Sequence, residues 1–119
     1  MAEIDSSLAA EQYCYLTTTG RSSGEPREIE IWFGLEGSTI YMLSGGRDRS
    51  NWVRNLIADP AVAIRIGERR FKGSARIVDD PDEDALARRL VLDKYSEGYS
   101  GDLGDYGRNA LPVAVDIES

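Results

Sequence analysis

The chain has 119 residues, a formal net charge of −7, one cysteine and no histidine. This length suits one domain with its own core, so we expect a single domain over residues 1–119 that begins with a short polar segment, 1–12. The negative charge argues against nucleic acid and anionic membranes as partners. Without histidine, Ser-His-Asp catalysis, Cys-His catalysis and histidine-based zinc sites are excluded, and we expect no metal site. An enzyme of this composition takes its chemistry from a molecule that it binds.

The N-terminal segment and the lone cysteine indicate the compartment. The segment MAEIDSSLAAEQ is polar and acidic and lacks the basic region and apolar core of a signal peptide. No stretch approaches the roughly 20 apolar residues that a membrane span needs. Cys14 lies in an apolar run, which is typical of a buried small hydrophobic residue, and one cysteine excludes a disulfide framework. We therefore expect a cytoplasmic protein without a membrane span.

Six segments have the composition or the two-residue periodicity of strands. The first is QYCYLTTT, and the second is EIEIWF, residues 28–33, in which apolar and other residues alternate. The turn Gly37-Ser38 leads into residues 39–43, which predicts a hairpin with 28–33. AVAIRI and RRFKGSARIV form a second predicted hairpin around Gly67-Glu68, and LPVAVDI closes the series.

Two helices interrupt the strands. The segment DRSNWVRNLIAD ends before Pro60, and Asp48 or Ser50 is its predicted N-cap. The second helix runs from about Asp80-Pro81 to Tyr95 and has acidic residues in its first turn, where the helix dipole favours them. The predicted buried positions are Trp52, Val53, Leu56 and Ile57 in the first helix and Leu86, Leu90 and Val91 in the second. Antiparallel hairpins with two inserted helices favour a small closed or partly closed β-barrel.

The loop in YLTTTGRSSGEPR, residues 15–27, is either a basic turn or an anion-binding loop. Gly20, Gly24 and Pro26 supply what a turn needs. A turn does not need two arginines, Arg21 and Arg27, on either side of paired hydroxyls. The loop alone leaves both interpretations open.

A second glycine-rich segment, LSGGRDRSNW, favours the anion site. Gly45 and Gly46 follow a strand, Arg47 and Arg49 add positive charge, and a helix begins at once. Backbone N–H groups and a helix N-terminus in this order favour a phosphate group. The segment matches neither a Walker A loop nor GxGxxG. Because loops at one end of a barrel converge, the four arginines of the two segments predict a ligand that carries phosphate.

The segments YLTTTGRSSGEPR, SGGRDRSNWVRNLIADPAVAIRI and RNALPVAV resemble the deazaflavin-dependent nitroreductase and quinone reductase family. Its members are split-β-barrel proteins similar to pyridoxamine 5′-phosphate oxidases. The resemblance extends from Tyr13 to Ile117, and the W-x-x-N-L-x-A-x-P string at Trp52–Pro60 is its most specific part. The resemblance implies a mainly β fold with two α-helices, a six-stranded split β-barrel of the FMN- and F420-binding type, and a homodimer.

The resemblance also implies an oxidoreductase. Reduced coenzyme F420 would give a hydride to a small organic electron acceptor, such as a quinone, a nitro compound or an activated alkene. The implied cofactor-binding residues are Arg21, Ser22 and Arg27 for the phosphate and tail, Ser44, Gly45 and Gly46 for the ring system, Arg47 and Arg49 for charge, and Trp52, which flanks the coenzyme or packs the barrel. Family members often carry lysine where this chain has Ser22 and Ser44.

The late tyrosines are candidate pocket residues. Tyr95, Tyr99 and Tyr106 occur where family members that reduce bulky nitro compounds carry tyrosines. Tyr99 or Tyr106 is the predicted catalytic group, because a hydroxyl can stabilise negative charge that develops on the acceptor. Packing of these rings onto the barrel is an equal alternative. Two other functions remain open: a related flavoprotein that holds FMN, and a non-catalytic module that binds a phosphorylated cofactor.

Overall fold

The computed structural model of the protein describes residues 6–96 and 109–118, without the side chains of Ser6 and Ser96. These residues form seven strands, two α-helices and two short 3-10 turns. The strands are β1 (Cys14–Thr19), β2 (Pro26–Ile31), β3 (Gly34–Glu36), β4 (Thr39–Ser44), β5 (Ala61–Ile66), β6 (Arg69–Ile77) and β7 (Leu111–Ile117); the helices are α1 (Asn51–Ala58) and α2 (Pro81–Ser96); and the 3-10 turns are Ser6–Ala10 and Arg47–Arg49. Neither of these α-helices is long and apolar enough to cross a membrane.

The seven strands form one antiparallel sheet in the order β2-β1-β5-β6-β7-β4-β3. The sheet curls around a hydrophobic core, as in a half-barrel. Alternate residues of each strand point inward, so strands that are distant in the sequence contribute to the same cluster. Its largest buried side chains include Leu16, Phe33, Ile40, Met42, Ile64, Ile66, Val113 and Val115. The mainly β architecture with two helices, predicted from the sequence, is confirmed.

Helix α2 covers the outer face of β4 and β7. Tyr41 and Ala114 pack against Ala87, and Leu43 packs near Val91. Both faces of β4 are therefore buried, which explains its continuous apolar run where a half-exposed strand would alternate. The predicted burial of Val91 is confirmed, and Leu86 and Leu90 lie partly buried at the edge of the same contact.

The six predicted strands are present, but the predicted number is wrong because β3 is a seventh strand, and the first predicted hairpin is also wrong. Residues 26–31 form β2 and pair with β1, while the turn at Gly37-Ser38 joins β4 to the short, separate strand β3. The break between β2 and β3 has two causes. The hydroxyl of Tyr95 accepts a hydrogen bond of 3.1 Å from the backbone N–H of Phe33. At position 34 a Cβ would lie 2.7 Å from the Cβ of Leu90, so glycine allows α2 to approach the chain here.

One predicted buried position in α1 is also wrong. Val53 and Leu56 enter the core, but Ile57 is 59% exposed. The buried arc of the helix extends to Asn55, which is only 5% exposed. At 3.6 residues per turn, Ile57 lies about 120° from the centre of this arc. A polar residue thus occupies a place that hydrophobicity alone assigns to isoleucine.

Candidate functional site

The loop between β1 and β2, residues 20–25, is a closed turn and is called loop 1 below. The backbone N–H of Gly20 donates to the carbonyl of Glu25 at 2.8 Å, and the N–H of Gly24 donates to the carbonyl of Gly20 at 2.8 Å. Gly24 has φ 72°, a left-handed conformation that glycine adopts without strain. The Oγ of Ser23 also accepts a hydrogen bond from the backbone N–H of Glu25 at 3.2 Å, so the backbone and one side chain close loop 1.

Arg21 attaches loop 1 to helix α1 through two asparagines. The buried Oδ1 of Asn55 accepts hydrogen bonds from Arg21 Nη1 at 2.8 Å and from the Arg21 backbone N–H at 3.2 Å. Arg21 Nη2 donates to Asn51 Oδ1 at 3.2 Å. The Nδ2 of Asn55 donates to Thr18 Oγ1 at 3.3 Å, which connects the helix to the end of β1. Asn55 thus joins three elements at one point.

A cleft of about 390 Å³ lies between loop 1 and α1 and is called the arginine cleft below. Arg27 Nη2 donates to Ser23 Oγ at 3.4 Å, so Arg27 lies beside this hydroxyl at the wall of the cleft. Ser23 lines the cleft, whereas Ser22 is exposed and does not. The lining residues are Thr18, Gly20, Arg21, Ser23, Arg27, Ile29, Asn51, Trp52 and Asn55.

The two arginines of this cleft have neutral partners. Within residues 6–96 and 109–118, Arg21 and Arg27 bond to amide, hydroxyl and backbone carbonyl oxygens. The ion pairs in the same part of the chain belong to Arg76 and Arg88. No carboxylate there neutralises the charge of the arginine cleft. An anionic ligand is the chemical complement of such a site.

The second predicted segment, residues 45–50, is called loop 2. Ser44 is 1% exposed, and its Oγ donates to the carbonyl of Arg47 at 2.9 Å and lies 2.9 Å from Ser50 Oγ. Ser50 occupies the N-cap position of α1, as one of the two predicted candidates, but its side chain makes no capping hydrogen bond. The first N–H groups of α1 are therefore not capped by this side chain.

The backbone of loop 2 turns at an arginine. Arg47 has φ 54°, which is uncommon for a residue with a Cβ, whereas Gly46 has φ −84°. Gly46 lies close to Ser50 instead, and a Cβ at this position would lie 2.5 Å from Ser50 Oγ, so this hydroxyl would have to move. The guanidinium of Arg47 donates to the carbonyl of Asn109, which ties loop 2 to the residues before β7.

The four predicted arginines lie at one end of α1 but in two clefts. Loop 2 lines its own cleft of about 420 Å³, formed by Gly45, Gly46, Arg47, Asp48, Arg49 and Ser50. Arg21 and Arg27 line the arginine cleft instead. Neighbouring residues at the start of α1 line the two clefts, Ser50 in one and Asn51 in the other.

The structure shows the packing role that was one of the two alternatives for Trp52, and the flanking contact with the coenzyme stays a prediction. Trp52 packs against the core cluster and also lines the arginine cleft. Sequence reasoning missed Thr18, Asn51 and Asn55 as site residues. The signal for Asn55 was present, since the W-x-x-N string places a polar residue on the helix side that also carries Trp52.

The predicted catalytic residues Tyr99 and Tyr106 lie outside the described residues. Tyr95 is described, and its ring stacks on Trp32 with centroids 4.4 Å apart and an interplanar angle of 7°. Its hydroxyl donates to the carbonyl of Gln12 at 2.6 Å. Trp32, Tyr95 and the partly buried Lys94 line a third cleft of about 510 Å³. Burial lowers the pKa of Lys94 to about 8.

Comparison with known proteins agrees with the family expected from the sequence. Residues 2–118 match the family described as F420H(2)-dependent quinone reductase. The F420H(2)-dependent quinone reductase Rv1261c of Mycobacterium tuberculosis strain H37Rv is 35% identical over 104 residues, which cover 84% of this chain and 68% of the relative.

Solved structures confirm the split-barrel fold. The F420-H2 dependent reductase FDR-A superposes with a TM-score of 0.68 at 23% identity, covering 90% of this chain and 94% of that one. A Listeria innocua protein proposed to be a pyridoxamine 5′-phosphate oxidase superposes with a TM-score of 0.69 at 17% identity, covering 94% and 88%. These structures resemble this protein in fold. The match over residues 2–118 and the 35% identity to the mycobacterial relative show that the chain belongs to the F420H(2)-dependent quinone reductase family.

Proposed function

We propose that the arginine cleft holds the anionic phosphate and tail of F420 in this F420H2-dependent oxidoreductase. The observation that carries this proposal is the absence of carboxylate partners for Arg21 and Arg27 in the described part of the chain. The chain has a net charge of −7, so a cleft with two uncompensated arginines concentrates positive charge on a negative molecule. Such a cleft attracts and orients a polyanion.

The residues around the cleft fit a phosphate-bearing group. Asn51 and Asn55 hold the Arg21 guanidinium in one orientation, which lowers the entropy that binding must overcome. The start of α1 adds the partial positive charge of a helix N-terminus beside both clefts. Arg47 and Arg49 of loop 2 add charge on the other side of that helix start. We assign Ser22 a solvent-side contact with the tail.

Bound F420, in its reduced form, supplies the hydride. The chain's own residues bind and orient this group and keep water away from the reacting atoms. We assign the ring system to the backbone of Ser44, Gly45 and Gly46, with Trp52 as a flanking surface. Tyr99 and Tyr106 remain our candidates for stabilising negative charge on the acceptor.

The acceptor that we propose is a quinone, with nitro compounds and activated alkenes as further candidates. This proposal follows from the family description and not from a contact in the cleft. We also propose that the protein is cytoplasmic and that it forms a homodimer; the resemblance implies the homodimer. Light scattering of the purified protein tests the dimer.

The direct test is a fluorescence titration of the purified protein with F420 and, separately, with FMN. We expect tight F420 binding and weak FMN binding. The variant Arg21→Ala/Arg27→Ala should raise the Kd for F420 by at least about 100-fold, because each lost charge-assisted hydrogen bond contributes roughly 1.5–3 kcal/mol.

The matched control is Arg70→Ala/Arg89→Ala, which removes the same charge from exposed positions on β6 and α2. Its Kd should stay within about threefold of the original, since exposed charges at a distance are largely screened. If both double variants lost the same affinity for F420, the arginines of loop 1 would act only through the total charge of the protein. Preference for FMN would make the protein a flavoprotein.

A further inference from the structure

The third cleft lies at the opposite end of β1 and β2 from loop 1. Gln12 and Tyr13 precede β1 and Trp32 follows β2, and all three line this cleft. Arg27 and Trp32 are five residues apart along the chain, about 17 Å at the rise of an extended strand. β2 therefore connects a cationic cleft to an aromatic one. Trp32 and Tyr95 pack in one cluster with Leu43, which directly precedes the Ser44–Gly46 segment that we assign to the coenzyme ring, so the third cleft adjoins that segment.

The aromatic wall of the third cleft is held in a fixed position. Trp32 and Tyr95 stack almost parallel, with an interplanar angle of 7°. Tyr95 is 7% exposed, and its hydroxyl is bonded to the carbonyl of Gln12 and to the N–H of Phe33. A flat, rigid aromatic surface favours offset stacking with a planar conjugated ligand.

Lys94 gives this apolar wall a proton donor. Its Nζ donates to the carbonyl of Phe33 at 3.2 Å and lies 3.5 Å from the centroid of the Phe33 ring. This hydrogen bond uses one of the three N–H donors of an ammonium group. Lys94 lines the cleft beside Tyr95, so it is placed to donate to an oxygen on a ligand that stacks there.

We propose that the third cleft is the quinone site and that Lys94 is a catalytic residue that protonates the quinone oxygen. This inference rests on the proposed function. Reduction of a quinone to a hydroquinone takes up one hydride and, at the oxygen that becomes negative, one proton. The established reductant provides the hydride. In the proton transfer an N–H bond of Lys94 breaks, an O–H bond of the product forms, and the neutral amine regains its proton from solvent.

The surroundings of Lys94 suit a proton donor near neutral pH. Burial lowers its pKa to about 8, against the opposing effects of the nearby Cys14 and Glu11. Tyr95 is adjacent to Lys94, and Tyr13 lines the same cleft. A donor is most effective when its pKa lies near the working pH. Turnover should therefore fall as the pH rises through about 8, because the ammonium form is lost.

The first test removes the proton donor. We expect Lys94→Met to bind F420 as tightly as the original protein but to turn over menadione roughly 100-fold more slowly, as general-acid catalysis predicts. The fall in turnover above pH 8 should disappear in Lys94→Met and move to higher pH in Lys94→Arg. An unchanged rate and pH profile in Lys94→Met would overturn the role of Lys94.

The second test reports on the cleft without turnover. The chain has two tryptophans, so in a Trp52→Phe background the fluorescence comes from Trp32 alone. Menadione should quench it saturably in the cofactor-free protein, and Ala10→Phe, which fills the cleft from an exposed position, should raise the menadione Kd about tenfold.

The outcomes separate the two proposals. Failure of the protein to bind F420 would refute the proposed function, and the inference with it. Tight F420 binding without saturable menadione quenching, or with no effect of Ala10→Phe, would refute the quinone site alone. Because Ala10→Phe leaves the contacts of Lys94 in place, this result does not depend on whether Lys94→Met folds.

Discussion

Two arginine networks in this protein differ in what neutralises them. At the edge of α2, Arg76 binds both carboxylate oxygens of Glu83, at 2.6 and 2.7 Å, and contacts Asp116 at 2.7 Å. At the start of α1, Arg21 and Arg27 bond to amide, hydroxyl and carbonyl oxygens. Both sites join a helix to neighbouring strands. Among the described residues, carboxylates neutralise the arginine of the first site only.

The difference distinguishes a structural ion-pair network from the cleft for which we propose a binding role. The hydrogen bond from Arg76 lowers the pKa of Glu83 to about 2, and Glu83 also accepts a hydrogen bond from Tyr41 at 2.7 Å. These contacts join α2 to β4, β6 and β7. No carboxylate of residues 6–96 or 109–118 forms an ion pair with the two arginines of the arginine cleft. A guanidinium held by neutral groups is oriented without being neutralised.

The largest effect is expected at Asn55. Asn55→Ala removes the acceptor for Arg21 and the donor for Thr18, and it leaves buried polar groups without partners. We expect the free energy of unfolding to fall by about 2–3 kcal/mol, with weaker F420 binding. Urea denaturation measures the first effect. Asn51→Ala, at an exposed position of the same helix, is the control and should lower the free energy of unfolding by about 0.5 kcal/mol or less. Equal losses in the two variants would mean that Asn55 does not join the three elements.

The second change adds a carboxylate to the arginine cleft, so that one of its arginines is neutralised as Arg76 is by Glu83 and Asp116. Ser23→Asp places a carboxylate beside Arg27, whose Nη2 lies 3.4 Å from Ser23 Oγ. We expect the Kd for F420 to rise about 10-fold or more, because the new charge competes with the anion. The neutral variant Ser23→Asn is the control. Equal affinity of the Asp and Asn variants would contradict the role of uncompensated charge.

The third change tests the ion-pair network of Arg76, Glu83 and Asp116. The pKa of Glu83 is about 2 in the folded protein, below its ordinary value of 4.5. Its contribution to stability is therefore present above pH 4.5 and is lost as the pH falls towards 2. Solvent reaches this ion pair, so Glu83→Gln should cost only about 1 kcal/mol at neutral pH.

Denaturation curves of Glu83→Gln and the original protein should converge as the pH falls from 4.5 to 2. The variant should keep its affinity for F420. A change in F420 affinity as large as that of Ser23→Asp would remove the distinction between the two networks.

The smallest effect concerns β1, which carries Thr18 towards the arginine cleft. Cys14 is fully buried, and burial raises the pKa of its thiol to about 12. We expect no alkylation by iodoacetamide at pH 8 in the folded protein and complete alkylation in urea, measured by mass spectrometry. Complete labelling without denaturant would show that β1 opens readily.

The sequence predicted the parts of this molecule that depend on local pattern. The alternation in residues 61–77 and the glycine turn at Gly67 give the β5–β6 hairpin as expected. The break between β2 and β3 was not predictable, because it depends on Tyr95, which is 62 residues from Phe33 along the chain.

The candidate site likewise has features that a local sequence pattern predicts and features that depend on contacts between distant parts of the chain. The arginines of loops 1 and 2 could be predicted as site residues, because a turn needs glycine and proline but not arginine. The distribution of these arginines over two clefts depends on how loop 1 docks on α1. The role of Asn55 depends on the same contact, since its partners Thr18 and Arg21 lie 37 and 34 residues away in the chain. Local patterns do not encode such contacts.

The central claim is that Arg21 and Arg27 hold the anionic part of the coenzyme. The most direct measurement compares F420 with its deazaflavin–ribityl fragment, which lacks the phosphate and the tail, on the original protein and on Arg21→Ala/Arg27→Ala. We expect the double variant to lose at least about 100-fold in affinity for F420 and less than about threefold for the fragment. Equal losses for both ligands would contradict the account, because the arginines would then act on the ring or on the fold.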